Sequence, residues 1–244
     1  MKAAVFEIRA KKYSVGLPNN KNDTATIVPK TTVLGIIGAF AKIQRNTEAY
    51  AKLMEGSMLD ILIEAKTLLK KIAGDSVLNK EWKIVVNAGN PFREDVIFQV
   101  TAIPTNEEGK KLLEKFEKGV IKEKKRKKRD PKKAVYLGRQ GYPLMIGEIT
   151  WADFKKLSPE EAKDKVVEQN SIIPSDRNNI EIISEPEKAI GVPMAYSMEI
   201  EGLERKPKMR YYRITNDIKP FKVKIKGRIE NSVYEVNGRT IICM

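Results

Sequence analysis

The sequence predicts an α+β fold, in which blocks of helix and blocks of strand follow one another. Residues 2–11 alternate between apolar and polar side chains, which is typical of a half-buried strand. Residues 28–41 are apolar nearly all round, as in a buried helix. From Val192 onward the chain returns to short alternating runs. The length of 244 residues allows one large domain or two small ones.

The helix over residues 28–41 is expected to begin just after Pro29. Proline cannot lie inside a helix, whereas Thr31 or Thr32 can cap one. Gly35 and Gly38 each cost about 1 kcal/mol relative to alanine in a helix interior. Such glycines indicate a close approach of another backbone or of a ligand.

The start of the same helix is also a candidate anion site. The first backbone N–H groups of a helix have no partner within the helix and point toward any bound anion. Lys30 adds a positive charge beside Thr31 and Thr32. We therefore expect these three residues to belong to a phosphate-binding surface.

The rest of the chain divides into further helices and strands. A Ser-Pro-Glu-Glu start marks a short helix after Ser158. The predicted helices are 47–73, with a break near Gly56–Ser57 as the alternative, and 107–118, the second ending at Gly119. The predicted strands are 82–87, 95–103, 134–137, 144–149, 194–201, 209–214, 221–226, 232–236 and 240–243, and residues 170–179 are expected to form an irregular loop.

The composition narrows the possible functions. The chain has no histidine, which removes the commonest general acid–base group and the usual zinc ligand. Its one cysteine, Cys243, excludes an internal disulfide, and we expect no metal and no cofactor. The N-terminus is typical of a strand rather than a signal peptide, and no apolar run is long enough to cross a bilayer. These features favour a cytoplasmic protein without a membrane partner, and abundant Lys, Glu and Ile favours a thermophile.

The positive charge is concentrated in two stretches. Residues 110–133 carry 13 Lys and Arg against 4 Asp and Glu, and residues 203–228 carry 10 against 2. The whole chain has a net charge of +14, so the remainder is slightly negative. Concentrated basic patches indicate a polyanion partner. The alternative is a lysine-rich surface that only water solvates.

Several basic residues near aromatic or glycine-rich segments are candidate RNA contacts. The run Lys122–Arg129 has seven basic residues in eight, and it suits an arm that closes on a nucleic-acid backbone. The alternatives for that run are a disordered basic loop and a nuclear-localisation signal. A glycine turn over 138–141 presents Arg and Gln between two tyrosines, which suits base stacking together with phosphate contact. The predicted RNA-binding residues from these and neighbouring segments are Arg9, Lys11, Lys12, Tyr13, Arg93, Lys125, Arg126, Arg129, Arg139, Gln140 and Tyr142.

The strand over residues 221–226 has a further basic face. Its lysines alternate with Phe221, Val223 and Ile225, and Arg210–Arg213 precedes it with two tyrosines. A sheet with one apolar face and one basic face can bind RNA directly. A solvated face is the alternative.

Two stretches together resemble the family-five Cas proteins, which are CRISPR-associated subunits of the RAMP superfamily. The run VPKTTVLGIIGAFA at residues 28–41 resembles their N-terminal signature, in which a Pro-Thr pair opens a helix with a glycine-rich apolar run. The run DPKKAVYLGRQGYPL at residues 130–144 resembles their second signature, a YLG strand end followed by an arginine-containing turn.

The resemblance implies a ferredoxin-like, RRM-type domain over residues 1–150, with a basic thumb-like insertion near 119–133. Residues 151–244 would form a helical and loop segment followed by a small strand-rich part. It further implies a subunit of a type I CRISPR Cascade complex, in antiviral defence, that holds the 5′ handle of the crRNA. Its implied partners are the family-seven backbone subunit, whose filament it caps, and the large subunit.

Some members of that family cut the precursor RNA with a tyrosine, a lysine and a histidine. Because this chain has no histidine, we expect a non-catalytic binder. The alternatives are a metal-independent endoribonuclease that works through tyrosine and lysine, and an unrelated ribosomal or RNA-binding protein.

Overall fold

The computed structural model describes residues 1–17, 20–75, 82–90, 94–125, 135, 137, 143–201 and 204–244. Within these ranges the helices are α1 (Lys30–Phe40), α2 (Glu48–Met54), α3 (Glu107–Lys124) and α4 (Pro159–Ala162). The strands there are β1 (Lys2–Ala10), β2 (Lys12–Tyr13), β3 (Gly16–Leu17), β4 (Asn20–Thr24), β5 (Leu59–Ala65), β6 (Leu69–Asp75), β7 (Trp82–Ala88), β8 (Val96–Pro104), β9 (Leu144–Ile146), β10 (Thr150–Lys156), β11 (Val166–Asn170), β12 (Ile172–Pro174), β13 (Ile180–Ser184), β14 (Ile190–Glu201), β15 (Glu204–Ile214), β16 (Pro220–Ile225), β17 (Val233–Val236) and β18 (Arg239–Ile242).

Strand β1 lies inside the largest sheet, which has the order β18-β17-β10-β1-β8-β5. β8 pairs antiparallel with one edge of β1, and β9 and β10 share the other edge. The alternation predicted for this strand is confirmed, because Ala4, Phe6, Ile8 and Ala10 are all buried. Phe6 packs on Phe116 of α3 with 4.9 Å between ring centroids, so helix covers this face of the sheet.

The helix predicted after Pro29 is confirmed as α1, but no threonine caps it. Pro29 occupies the N-cap position in an extended conformation, and among the described residues α1 has no side-chain cap hydrogen bond. Thr31 and Thr32 lie within the first turn, where they are already helical residues. The prediction of a threonine cap is therefore wrong. The fixed φ of proline places the N-cap at Pro29, one residue before Lys30.

The two glycines of α1 have different surroundings. A Cβ atom on Gly38 would lie 2.6 Å from Leu53 Cδ2, so α2 packs closely there. A Cβ atom on Gly35 would meet nothing within 4 Å. The close backbone approach occurs instead at Gly119, where a Cβ atom would overlap the carbonyl oxygen of Phe40. Gly119 lies within α3 and does not end it, contrary to the prediction, because the helix crosses α1 at this point.

The long helix predicted over residues 47–73 is wrong. α2 ends at Met54, and Gly56 turns the chain with a φ of +76°. β5 follows, and all of its residues except Asp60 are buried. A strand covered on both faces shows no alternation, so its apolar run cannot be distinguished from a buried helix by periodicity.

The predicted C-terminal strands are confirmed as β14 to β18. β14 and β15 form a long hairpin, and β12 pairs with the far edge of β15 at its C-terminal end. The expected loop over 170–179 therefore contains one strand. Three residues ending in a proline carry too little alternation to be recognised from sequence.

The C-terminal strands share a core with the N-terminal sheet. One hydrophobic cluster contains Phe6 and Phe116 together with Tyr212 and Tyr234. A smaller cluster surrounds Phe221 in the three-stranded sheet β11-β16-β13. The domain boundary implied near residue 150 falls at the start of β10, a strand of the main sheet, and it stays a prediction.

The chain end brings the two edges of the main sheet together. The Met244 N–H donates to the carbonyl oxygen of Ile61 in β5 at 2.8 Å. Nearby, the Arg239 guanidinium donates to both carboxylate oxygens of Glu64, at 2.6 and 2.8 Å, and the Asn170 N–H donates to the same group at 2.9 Å. The Glu64 side chain is only 3% exposed, so these bonds satisfy a buried charge.

We expect Arg239→Ala to lower the free energy of unfolding by roughly 2 kcal/mol, because it leaves the Glu64 carboxylate buried without its main partner. The half-exposed position of Arg239 admits water and limits the loss. Urea denaturation measures the change. Arg228→Ala is the control, since Arg228 is exposed and forms no ion pair with the described residues. Its expected effect is within about 0.5 kcal/mol, and equal losses in both variants would contradict this account.

The glycine environments predict opposite effects of one substitution. Gly35→Ala is expected to stabilise the protein by about 0.5–1 kcal/mol, because it removes the helix cost of glycine without a clash. Gly119→Ala is expected to destabilise it by about 2 kcal/mol or more, because α1 and α3 must separate. Thermal or urea unfolding of the two variants provides the comparison. A stabilising Gly119→Ala would show that the two helices do not approach as closely as described.

Candidate nucleic-acid interface

The outer face of α3 carries a row of exposed lysines. We call this set the α3 lysine row, and its members are Lys111, Lys115, Lys118, Lys122 and Lys125. All are exposed, and their spacing of three or four residues places them along one side of the helix. None of them lies within ion-pair distance of a carboxylate among the described residues, where Lys110 is the α3 lysine that pairs with an acid.

The inner face of α3 explains why the row points outward. Leu112, Leu113, Phe116 and Val120 are buried against the sheet and α1. Asn106 caps the helix by accepting the Gly109 N–H at 2.9 Å. An amphipathic helix anchored in this way leaves its charged face in solvent. The outcome is a line of five positive charges on a rigid support.

The basic run predicted as an RNA-binding arm begins inside this helix. Lys122–Lys124 form its last turn, and Lys125 is the C-cap residue. Cations at the C-terminal end of a helix also complement its dipole. The remainder of the run, including Arg126 and Arg129, lies outside the described residues.

Other predicted RNA contacts also fall on residues that the structure does not describe. Arg93, Arg139, Gln140 and Tyr142 also lie outside the described residues, as does most of the strand expected over 134–137. Their proposed contacts with RNA stay predictions.

The basic line expected along β1 is largely paired within the protein. Arg9 donates to Glu7 at 2.9 Å, and Lys11 Nζ lies 2.7 Å from a carboxylate oxygen of Asp95. Lys12 is half-buried on β2. In both pairs the cation is exposed, whereas the Asp95 side chain is only 22% exposed. Each cation would have to leave its acid in order to bind an RNA phosphate.

Tyr13 cannot make the RNA contact that we expected. Its ring is fully buried and packs on Phe98, with 5.6 Å between centroids. Its hydroxyl donates to the carbonyl oxygen of Thr26. The prediction for Tyr13 is wrong because its side chain lies in the core, although it follows the basic residues Lys11 and Lys12 in sequence.

The phosphate site expected at the start of α1 is also corrected. The Lys30 side chain is 5% exposed, and its Nζ lies 3.7 Å from Asp60 Oδ1. Burial lowers the pKa of Lys30, and Asp60 opposes that shift. Thr31 is buried and Thr32 is half-buried. The anion beside this helix start is therefore a carboxylate of the chain itself, which leaves no room for RNA at Lys30 and Thr31.

The basic face of β16 is neutralised by a ladder of ion pairs. Lys222 pairs with Glu168 at 3.2 Å, Lys224 pairs with Asp164 at 2.9 Å, and Lys226 pairs with a third acid at 2.7 Å. The acids come from the loop before β11 and from the two strands that flank β16. This arrangement favours the solvated-face alternative over direct RNA binding.

The neighbouring hairpin contains Arg210–Arg213, which the sequence places beside the basic strand but which are not among the predicted RNA-binding residues. Arg210 lies over the Tyr196 ring at 4.4 Å and contacts Glu230 at 3.1 Å. Tyr211 is 66% exposed, whereas Tyr212 is 1% exposed. The Arg-Tyr-Tyr-Arg sequence was the available signal. It does not say which tyrosine faces the solvent, because that depends on strand register.

The described part of the chain therefore defines an α+β protein in which α3 carries five exposed lysines that form no ion pair with the described residues. No helix in that part is long and apolar enough to cross a membrane. The same residues contain no group of three or more side chains that could hold a metal ion.

Comparison with solved structures identifies the fold. A CRISPR protein from Archaeoglobus fulgidus aligns over 100% of this chain and 99% of its own, with a TM-score of 0.59 and 16% identity. A CRISPR RNA-guided surveillance complex aligns over 90% of each chain at 11% identity, and a Cas protein over 92% and 95% at 14% identity. Their TM-scores of 0.45 and 0.42 are too low to support an argument. No protein-family model and no curated protein matches the sequence. The chain thus has the fold of the Archaeoglobus protein.

Burial of ionisable groups predicts a loss of stability in alkali. Burial raises the pKa of Tyr13, Tyr212, Tyr234 and Cys243 above their ordinary values of 10.0 and 9.0. The unfolded chain therefore releases these protons first, and the free energy of unfolding falls as the pH rises past about 9–10. Lys30 acts in the opposite sense, because its pKa is lowered and its burial cost disappears on deprotonation.

We expect the urea midpoint to be lower at about pH 10.5 than at about pH 8, since four groups outweigh one. Tyr13→Phe should make this decrease smaller, because one of the four groups is removed. An equal midpoint at both pH values would contradict the described burial.

Proposed function

We propose that this chain is a family-five Cas protein that acts as a non-catalytic RNA-binding subunit of a type I Cascade complex. In this role it holds the 5′ handle of the crRNA and caps the backbone filament, beside the family-seven subunit and the large subunit. The two signature-like stretches and the fold shared with a CRISPR protein support this assignment. The proposed setting is the cytoplasm of a cell with CRISPR defence.

The topology supports the implied ferredoxin-like domain. The elements β1, α1, β5, β8, α3 and β9–β10 follow one another as β-α-β-β-α-β. If β1, β5, β8 and β10 are numbered 1 to 4, their order in the sheet is 4-1-3-2. Every neighbouring pair is antiparallel. The segments between these elements would then be insertions in an RRM-type domain.

The observation that carries RNA binding is the α3 lysine row. None of these lysines forms an ion pair with the described residues, so a phosphate can replace their counter-ions without breaking such a pair. The lysines of β16 differ, because each must first leave an acid. Contacts of this kind supply affinity without reading sequence. Sequence preference would come from bases that are unstacked and held in pockets.

Three of the described tyrosines are buried and are therefore poor candidates for the general base of a nuclease. Tyr13, Tyr212 and Tyr234 have raised pKa values, which oppose the ionised form that a general base needs. Lys30, whose pKa is lowered, is enclosed with Asp60 and is not available to RNA. Cleavage of repeat RNA by the purified protein in EDTA would favour the endoribonuclease alternative.

The binding surface is tested with two variants of equal charge change. Lys115, Lys118 and Lys122 are replaced by Gln in one variant, and Lys222, Lys224 and Lys226 in the other. A single-stranded, repeat-derived RNA is titrated by fluorescence anisotropy at several salt concentrations. For the first variant we expect weaker binding and a slope of log affinity against log salt that is smaller by about 2, since each phosphate contributes about 0.7.

The β16 variant is expected to keep the slope of the unchanged protein. Equal slopes for all three proteins would remove the α3 lysine row from the interface. Equal losses in both variants would show that net charge, rather than a particular surface, determines binding.

A further inference from the structure

A cleft of about 510 Å³ opens beside the hairpin β14–β15. The turn 174–178 forms one wall, Arg210 and Tyr211 of β15 form another, and Glu230 with Asn231 closes the end. A volume of this size lies within the range of small-ligand sites. It is far larger than a single ion requires.

The Tyr211 ring in this cleft is displayed on a rigid support. Its backbone pairs with Pro193 of β14 on one side and accepts the Ser175 N–H at 3.1 Å on the other. Among the large apolar and aromatic side chains of the described residues, it is the most exposed, at 66%. An exposed aromatic ring on a backbone that is hydrogen-bonded at both edges can stack on a base.

The facing turn is fixed by its own acid. Asp176 accepts the N–H groups of Asn178 and Asn179 at 3.2 Å and the Asn179 side-chain amide at 3.0 Å. These bonds occupy the carboxylate and hold Arg177 at the outside of the turn. Arg177 is exposed and forms no ion pair with the described residues.

The charge of the cleft argues against a second polyanion surface. Its two arginines are balanced by Asp176 and Glu230, and Glu230 already pairs with Arg210. One cation, Arg177, is available at the rim. The remaining lining offers an aromatic ring and the side-chain amide of Asn178. A planar group with neutral polar edges and one adjoining phosphate suits this lining better than a run of phosphates.

We propose that this cleft binds one unstacked nucleobase of a single-stranded RNA, with the base on Tyr211 and its phosphate on Arg177. The proposal rests on the proposed RNA-binding function. It adds a site for a base to a protein whose other predicted contacts on described residues are with phosphates.

The test compares Tyr211→Ala with Tyr211→Phe in the full chain. The probe is a single-stranded, repeat-derived RNA. It is compared with a series of RNAs of equal length, each of which carries one abasic position at a different nucleotide. Tyr211→Ala should weaken binding about 5- to 100-fold at an unchanged salt slope, because it removes stacking and no charge. Tyr211→Phe should bind like the unchanged protein. One abasic position should weaken the unchanged protein and leave Tyr211→Ala unaffected.

Arg177→Gln provides an independent measurement of the phosphate contact. It should reduce the salt slope by about 0.7, whereas Arg228→Gln at an exposed position outside the cleft should not. A Tyr211→Ala protein with normal affinity and an Arg177→Gln protein with a normal slope would overturn the cleft proposal.

These results separate the two proposals. Normal RNA binding that depends on the α3 lysine row but not on Tyr211 or Arg177 refutes the cleft alone. Failure of the unchanged protein to bind RNA at any salt concentration refutes RNA binding itself, and the base site with it.

Discussion

The ion pair between the buried Glu64 carboxylate and the half-exposed Arg239 joins the C-terminal strands to the N-terminal sheet. Glu64 belongs to β5, at one end of the main sheet, and Arg239 begins β18, at the other. A carboxylate buried to this degree is very costly unless it is paired, so the two ends must meet. Gln169 strengthens the junction, because its side chain donates to two backbone carbonyls and accepts the Ile242 N–H. The C-terminal strands are thereby part of the same core as the N-terminal sheet.

Pairing of charges, rather than their number, distinguishes the basic surfaces. Both basic stretches of the sequence have similar excess charge, yet they have different partners in the fold. On α3 the outward lysines form no ion pair with the described residues. On β16 the adjacent strands bring Glu168 and Glu181 alongside the lysines. Only long-range strand pairing determines this difference, so no count of charges along the chain reveals it.

The sequence predicts those parts of the fold whose pattern is local. β1 and α1 follow from clear periodicity, and the C-terminal strands follow from alternation. The segment 47–73 could not be assigned correctly, because β5 is buried on both faces and its period depends on what covers it. The candidate site shows the same limit. Lys30 and Tyr13 are typical of a binding surface in sequence and are enclosed by tertiary packing, whereas the exposure of Tyr211 depends on the register of a hairpin.

The central claim is that this chain holds the common end of a guide RNA, and the most direct test is the RNA that it retains in its own cells. The protein is purified with its natural partners, and the bound RNA is quantified and sequenced. The account predicts about one RNA per chain, with different spacers but one shared 5′ end derived from a CRISPR repeat. Heterogeneous ribosomal fragments, or no bound RNA, would contradict it.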